Sequence, residues 1–156
     1  MKKVVLAFSG GLDTSFCVPY LKNEKGLEVH TVLVNTGGFS KEEAARIEER
    51  ALTLGAASHT TVDAVDTYYN KGLKYLIYGN VLKNNTYPLS VSSERVFQAL
   101  EVLNTVKKIG AEYVAHGSTG AGNDQVRFDI VFEIMAPEVE ILAPIRELEI
   151  SRKEEI

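Results

Sequence analysis

The sequence lacks most of the features that mark secreted, membrane-spanning or nucleic-acid-binding proteins. Cys17 is the only cysteine in 156 residues, which excludes an internal disulfide, and no Cys/His cluster offers a structural zinc site. Lys and Arg number 17 against 21 Asp and Glu, so the net charge of −4 disfavours nucleic acid as a partner. Outside the stretch around Pro19, the longest apolar run is residues 4–8, far short of the ~20 residues that span a bilayer. We therefore expect a cytoplasmic protein with no membrane partner.

Short β-rich runs alternate with longer runs of helical period, in a composition that is 45% hydrophobic and 24% charged. This alternation predicts an α/β fold, namely an open, doubly wound parallel sheet of about five strands with helices on both faces. The strands are predicted at residues 3–8, 28–35, 58–63, 112–116 and 140–145.

Start and stop signals bound the helices between these strands. Ser40 and Glu43 form a capping box, and Gly55 ends the helix that follows. A second helix is predicted from about Ser92 or Ser93 to residue 109, with an apolar stripe of Val96, Leu100, Leu103 and Val106. Residues 64–77 are predicted to be helical, and residues 79–92 to be a long connection that carries function. Pro19 should kink the first helix.

A second capping box, Ser151 with Glu154, stands at the end of the sequence. It predicts the start of a further helix. We therefore expect one domain over residues 1–150, with residues 151–156 opening a further element of a longer protein.

The first predicted strand runs directly into the loop SGGLDTS, residues 9–15. Two glycines let the backbone approach a ligand, and Asp13, Thr14 and Ser15 begin a helix whose unpaired N–H groups attract anions. A strand-to-helix turn that merely needs glycine is the plain alternative. The loop lacks the lysine of GxxxxGK[ST] and the spacing of GxGxxG. It resembles the PP-loop of ATP pyrophosphatases, which implies cleavage of ATP between the α- and β-phosphates, a reaction shared by tRNA-modifying enzymes and amide-forming synthetases.

A second polar loop follows the fourth predicted strand, in the segment HGSTGAGNDQVRFD, residues 116–129. Ligands of open parallel sheets bind beyond the carboxyl ends of the strands, so this loop and SGGLDTS should face one crevice. A polar turn held by Asn and Asp side chains is the alternative.

With both motifs at a spacing of about a hundred residues, the whole chain resembles the argininosuccinate synthase family, and GNDQVRF is the most specific piece. The resemblance implies a HUP-like, adenine nucleotide α hydrolase-like domain. It also implies a ligase that joins citrulline to aspartate through a citrullyl-adenylate and releases AMP and pyrophosphate. Magnesium is expected to accompany ATP, and the complete protein is expected to be a homotetramer.

The family's binding residues carry over onto matching positions of this sequence. ATP is expected at Ala7, Phe8, Ser9, Gly10, Gly11, Leu12, Asp13, Thr14, Ser15, Val34 and Gly117. Citrulline is expected at Tyr87, Ser92, Asn123 and Arg127, and aspartate at Thr119, Asn123 and Asp124. Arg127 offers a planar fork for a carboxylate, and Asp124 an acceptor for an ammonium group. Tyr87 could instead be ordinary loop packing, and Ser92 a helix N-cap. No catalytic residue or metal ligand is assigned.

The chain departs from the common family pattern in two places. It reads YPLSVSSERV over residues 87–96, and Ala121 stands where many members carry Lys. Two other functions remain open: a tRNA-modifying adenylating enzyme with a PP-loop, and a nucleotide-binding sensor module without turnover. Both are disfavoured, the first by the net charge of −4 and the second by charged groups suited to two amino acids.

Overall fold

The computed structural model describes residues 1–120 and 122–149. The strands of this described part are β1 Lys3–Ala7, β2 Glu28–Asn35, β3 Ser58–Asp63, β4 Leu82–Lys83, β5 Tyr87–Pro88, β6 Tyr113–His116 and β7 Glu140–Leu142. The helices are α1 Leu12–Asn23, α2 Lys41–Thr53, α3 Val65–Tyr68, α4 Lys74–Tyr78, α5 Ser90–Ile109, α6 Asn123–Met135 and α7 Pro144–Leu148, with a π-helical turn at Tyr69–Leu73. No described helix has both the length and the apolar character needed to cross a membrane.

Five parallel strands form the central sheet in the order β3-β2-β1-β6-β7. The chain winds outward from β1 through β2 to β3, and then returns to place β6 on the other side of β1. The strand order therefore reverses between β1 and β6, which is the point where open parallel sheets bind ligands.

Helices cover both faces of this sheet, and alternate residues of β1 point into two cores. On one face, Val5 packs with residues of α5 and α6, including Val102 and Phe132. On the other face, Val4 and Leu6 pack with α1 and α7 residues that include Val18 and Ile145. Both faces of β1 are thus buried, and the predicted doubly wound α/β architecture is confirmed.

All five predicted strands form, with small differences at their ends. The fifth was predicted through residue 145, but β7 ends at Leu142, because Pro144 cannot donate to a sheet ladder and instead opens α7. The Ser40 capping box is confirmed: Ser40 Oγ accepts from the Glu43 N–H at 3.2 Å, and Glu43 Oε2 accepts from the Ser40 N–H at 2.9 Å.

The stretch between β3 and β6 departs further from expectation. A single helix was predicted over residues 64–77, but the structure divides this segment into α3, the π-helical turn and α4. The predicted connection contains the hairpin β4–β5, whose turn places Asn84 and Asn85 at positive φ, a conformation that Asn tolerates better than most residues. Helix α5 begins at Ser90, so Ser92 lies within its first turn and is not its N-cap. Val96 of the predicted apolar stripe is 37% exposed, whereas Ala99 and Val102 are buried in its place.

The helix predicted to begin at Ser151 lies outside the described residues. So does Ala121, where the sequence departs from the common family pattern.

Candidate functional site

A crevice of about 940 Å³ opens at the carboxyl ends of β1 and β6, where the strand order reverses. Two loops form its walls: the first loop, residues 8–11 after β1, and the second loop, residues 117–120 after β6. The starts of α5 and α6 line a further side, and the end of β2 with residues 36–39 lines another. The crevice therefore lies where sequence reasoning placed it, between the two glycine-containing motifs.

The first loop turns sharply from β1 into α1. Gly10 adopts φ +74°, and a Cβ there would lie 3.0 Å from Ile47 Cγ1, so both the backbone conformation and the space favour glycine. The Gly10 carbonyl accepts a hydrogen bond from Arg50 of α2 at 2.8 Å. Gly11 precedes α1 and gives it no side-chain cap, and the start of a helix carries a partial positive charge that attracts an anionic ligand.

The second loop touches the start of α1 directly. A Cβ at Gly117 would lie 3.0 Å from Thr14 Cγ2 and 3.1 Å from Thr14 N, closer than ordinary van der Waals contact. Glycine at this position thus allows the two loops to meet, and the position of one wall of the crevice depends on the other.

Charged side chains from α5 and α6 meet across the crevice at Asp124. Its Oδ1 accepts from Arg127 at 2.7 Å, and its Oδ2 accepts from Arg95 at 3.2 Å. Arg127 also donates to Ser92 Oγ at 3.2 Å. The structure therefore brings together three of the residues expected to hold the two amino acids, and it adds Arg95.

Three further polar residues continue this network towards β2. Arg95 donates to Gln98 Oε1 at 2.7 Å, Gln98 donates to Glu94 Oε1 at 3.3 Å, and Thr36 Oγ1 donates to the same Glu94 oxygen. These three side chains and Arg95 all line the crevice, and the sequence had predicted no role for any of the four. The available signal was the cluster of Glu94, Arg95 and Gln98 in the first turns of α5.

His116 lies at the end of β6 with 1% of its surface exposed. Its Nε2 is 2.8 Å from Asp129 Oδ1, and Arg146 donates to the other oxygen of Asp129. Burial lowers the pKa of His116 below its usual value, although the hydrogen bond to Asp129 opposes this. Burial alone would raise the pKa of Asp129, but hydrogen bonds from Arg146 and His116 outweigh it and hold that pKa below its ordinary value.

Most residues expected to bind ATP line the crevice. They are Ala7, Phe8, Ser9, Gly11, Leu12, Asp13, Thr14, Val34 and Gly117. Gly10 and Ser15 instead line a neighbouring cleft with residues of α2, and the buried Ser15 Oγ has no hydrogen-bond partner within the described chain.

The residues expected to bind amino acids divide in a similar way. Thr119, Asn123, Asp124 and Arg127 line the crevice, and Ser92 reaches it through its bond to Arg127. Tyr87, 39% exposed on β5, is not among the lining residues. Over residues 1–120 and 122–149, no group of three or more His, Cys, Asp or Glu side chains is arranged to hold a metal ion.

Comparison with known proteins relates this site to one family. Residues 3–156 match the family described as "Arginosuccinate synthase N-terminal HUP domain". The argininosuccinate synthase of Xylella fastidiosa is 48% identical over 148 residues, which are 95% of this chain and 36% of that protein. The argininosuccinate synthase of Saccharolobus solfataricus is 46% identical over 99% of this chain and 39% of its own length. The chain thus spans well under half the length of these relatives.

A solved structure has a similar fold. It is the predicted subunit of a tRNA methyltransferase from Methanocaldococcus jannaschii, with a TM-score of 0.56 over 94% of this chain and 69% of that one. Sequence identity is 19%, so this likeness concerns the fold alone. The whole-chain match and the near-half identity with two synthases carry the assignment: the chain belongs to the argininosuccinate synthase family and corresponds to its N-terminal HUP domain.

Proposed function

We propose that this chain is the nucleotide-binding part of an ATP-dependent ligase that joins citrulline to aspartate and releases AMP and pyrophosphate. The observation that carries the proposal is the meeting, in one crevice, of a helix start without a side-chain cap and an Arg–Asp–Arg cluster. The first feature suits a polyphosphate, and the second suits the carboxylates and ammonium groups of amino acids.

In this proposal the triphosphate of ATP lies at the first loop and the start of α1. The N–H groups that follow Gly11 and the hydroxyls of Ser9 and Thr14 provide donors there, and the two hydroxyls are 3.4 Å apart. The adenine borders Val34, which is nearly buried at the end of β2. Gly117 lets the second loop close over the same helix start.

The amino acids occupy the side of the crevice formed by α5 and α6. Arg127 receives the citrulline carboxylate, with Asn123, Ser92 and Tyr87 beside it. Asp124 receives the aspartate ammonium group, with Thr119 and Asn123 near. Because Arg127 and Asp124 bond to each other at 2.7 Å, each substrate must compete with this ion pair for its partner. Arg95 donates to the second oxygen of Asp124 and keeps the carboxylate oriented when the bond between Asp124 and Arg127 is exchanged for substrate.

The chemistry needs no nucleophile from the protein. The ureido oxygen of citrulline attacks the α-phosphorus of ATP, and pyrophosphate leaves. The aspartate amine then attacks the ureido carbon, and AMP leaves with the oxygen that citrulline supplied. The described residues contribute by positioning the reactants and by stabilising charge at the phosphates.

Magnesium fits this site as a companion of ATP. Mg²⁺ usually keeps several waters and binds through one or two carboxylates together with substrate phosphates, so a closed cluster of acidic residues is unnecessary. Asp13 is the carboxylate on the phosphate loop itself and is the residue we expect nearest the ion. The ion would neutralise charge on the departing pyrophosphate.

The complete protein is required for turnover in this proposal, because the chain matches only 36% and 39% of the length of the two relatives. We propose that the further sequence supplies additional substrate contacts and the interfaces of a homotetramer, and that the enzyme works in the cytoplasm.

Isotope transfer in the complete protein tests this mechanism. With citrulline labelled by ¹⁸O at the ureido group, ATP and aspartate, the label should appear in AMP, and pyrophosphate should form in equal amount. With citrulline and ATP alone, pyrophosphate should form once per site. ADP and phosphate as products, or unlabelled AMP, would refute the proposal. Calorimetric titration with citrulline and aspartate separates the ligase from a nucleotide sensor, which would bind neither amino acid.

A further inference from the structure

Two polar side chains from outside the second loop form hydrogen bonds with its backbone. The Ser118 N–H donates to His116 Nδ1 at 3.2 Å, and Gln125 Nε2 donates to the Gly120 carbonyl at 2.8 Å. These two bonds bracket residues 118–120. Neither His116 nor Gln125 lies within the loop, since one ends β6 and the other lies in the first turn of α6.

Arg146 joins the two supports. It donates to Gln125 Oε1 at 3.3 Å and to Asp129 Oδ2, while Asp129 Oδ1 is 2.8 Å from His116 Nε2. Arg146 comes from α7, which packs with α1, whereas Asp129 comes from α6 on the other face of the sheet. The arrangement thus spans the edge between the two helical layers.

The bonding pattern fixes the tautomer of His116. A peptide N–H can only donate, so Nδ1 must be the acceptor, and the single ring proton must lie on Nε2, pointing to Asp129. The ring stacks on Phe128 with 5.7 Å between centroids, and 1% of the residue is exposed. Both nitrogens are therefore committed to the protein, and the lowered pKa of His116 agrees with a neutral ring.

We infer that His116, Gln125 and Arg146 form a loop frame that positions the second loop against the start of α1, with His116 acting as a positioning residue through the bonds of its two ring nitrogens. The position matters because Gly117 contacts Thr14 at the helix start proposed to hold the phosphates. The inference rests on the proposed nucleotide site for its effect on ATP binding, while the bonds of the frame can be measured independently.

Two substitutions at His116 separate its two bonds. In His116→Asn, the amide oxygen lies near the position of Nδ1 and can still accept from Ser118, but the donor to Asp129 is lost. In His116→Gln, the amide nitrogen lies near the position of Nε2 and can still donate to Asp129, but the acceptor for Ser118 is lost. Both variants lose the ring that stacks on Phe128, so each is the matched control for the other.

The experiment measures three quantities on the 156-residue chain: the nitrogen shifts of His116 by NMR, hydrogen exchange at the Ser118 amide, and binding of MgATP by calorimetry. We expect an unprotonated Nδ1 and a slowly exchanging Ser118 amide in the wild type. His116→Gln should exchange Ser118 on the order of tenfold faster than His116→Asn. It should also bind MgATP roughly threefold to tenfold more weakly than His116→Asn, the effect of one neutral hydrogen bond.

A protonated Nδ1 in the wild type, or equal Ser118 exchange in the two variants, would overturn the inference. So would equal MgATP affinity in the two variants despite different Ser118 exchange. If the wild type binds no MgATP at all, the proposed nucleotide site fails in this chain, and the His116 shifts and Ser118 exchange alone decide whether the frame exists.

Discussion

The contact between the two loops makes Gly117→Ala the sharpest test of the crevice. The new Cβ would lie 3.0 Å from Thr14 Cγ2, 3.1 Å from Thr14 N and 3.3 Å from Asp13 C. Carbon atoms attract best at about 3.5–4.0 Å, so the second loop or the start of α1 must shift by a few tenths of an ångström. Overpacking of this kind costs about 1–3 kcal/mol, which lowers Tm by roughly 2–12 °C in a domain of this size.

The same shift should weaken nucleotide binding, because Thr14 N is among the N–H groups proposed to hold the phosphates. Loss of one hydrogen bond to a charged group, about 1.5 kcal/mol, corresponds to roughly tenfold weaker MgATP binding.

Gly120→Ala is the matched control for this experiment. It adds the same methyl group to the same loop, but the nearest atom to its Cβ is Arg146 Cγ at 3.9 Å, an ordinary contact. Its stability and MgATP affinity should stay within about 0.5 kcal/mol of the wild type. Thermal unfolding and calorimetry measure both quantities. Unchanged MgATP affinity in Gly117→Ala, or an equal loss in Gly120→Ala, would refute the view that this contact sets the nucleotide site.

Three further predictions concern charge and completeness. Asp124→Ala in the complete protein should weaken aspartate binding roughly thirtyfold, because one charge-assisted hydrogen bond contributes about 2 kcal/mol, and should leave MgATP affinity nearly unchanged. Calorimetry measures both affinities, and Glu138→Ala at an exposed position is the control. Weakened MgATP binding with unchanged aspartate binding would contradict the assignment. The pKa of His116 in the folded chain is lowered from 6.5, so the unfolded state takes up a proton more readily, and the free energy of unfolding should fall as the pH drops below 6.5. Urea titrations at several pH values should show a smaller fall in His116→Asn. We proposed that further sequence supplies part of the substrate contacts. The 156-residue chain alone should therefore release no citrulline-dependent pyrophosphate, because a partial site forfeits positioning that contributes ~7 kcal/mol or more to catalysis; substantial release would contradict that proposal.

The sequence predicts the frame of the sheet well because its signals are local. The apolar run before SGGLDTS and the capping box at Ser40 each depend on a few neighbouring residues, and the structure confirms the elements they announce. The start of α6 was not anticipated. Asn123, Asp124 and Gln125 are residues that also suit a loop, and the helix they begin is stabilised by the packing of Phe128 and Phe132 on the sheet.

Contacts within the crevice depend on packing between distant elements. Arg95 bonds to Asp124 from 29 positions away because α5 and α6 lie side by side on one face of the sheet. Arg146 reaches Asp129 because β7 is short and α7 begins at Pro144. Neither pair has a signature at fixed spacing. The residues expected from the motifs therefore did not include Thr36, Glu94, Arg95 and Gln98.

The central position of β1 has a consequence for synthesis of the protein. β1 pairs with β2 on one side, but its other partner, β6, begins only at Tyr113. At ribosomal rates of roughly 5–20 residues per second, residues 36–116 take on the order of 4–16 s to emerge. During this interval the nascent chain presents the unpaired edge of the strand that becomes the centre of the sheet, and such an edge is a template for pairing with other chains. Chaperone contact with the nascent chain should therefore be concentrated before β6 is released and should decline once β1 is enclosed.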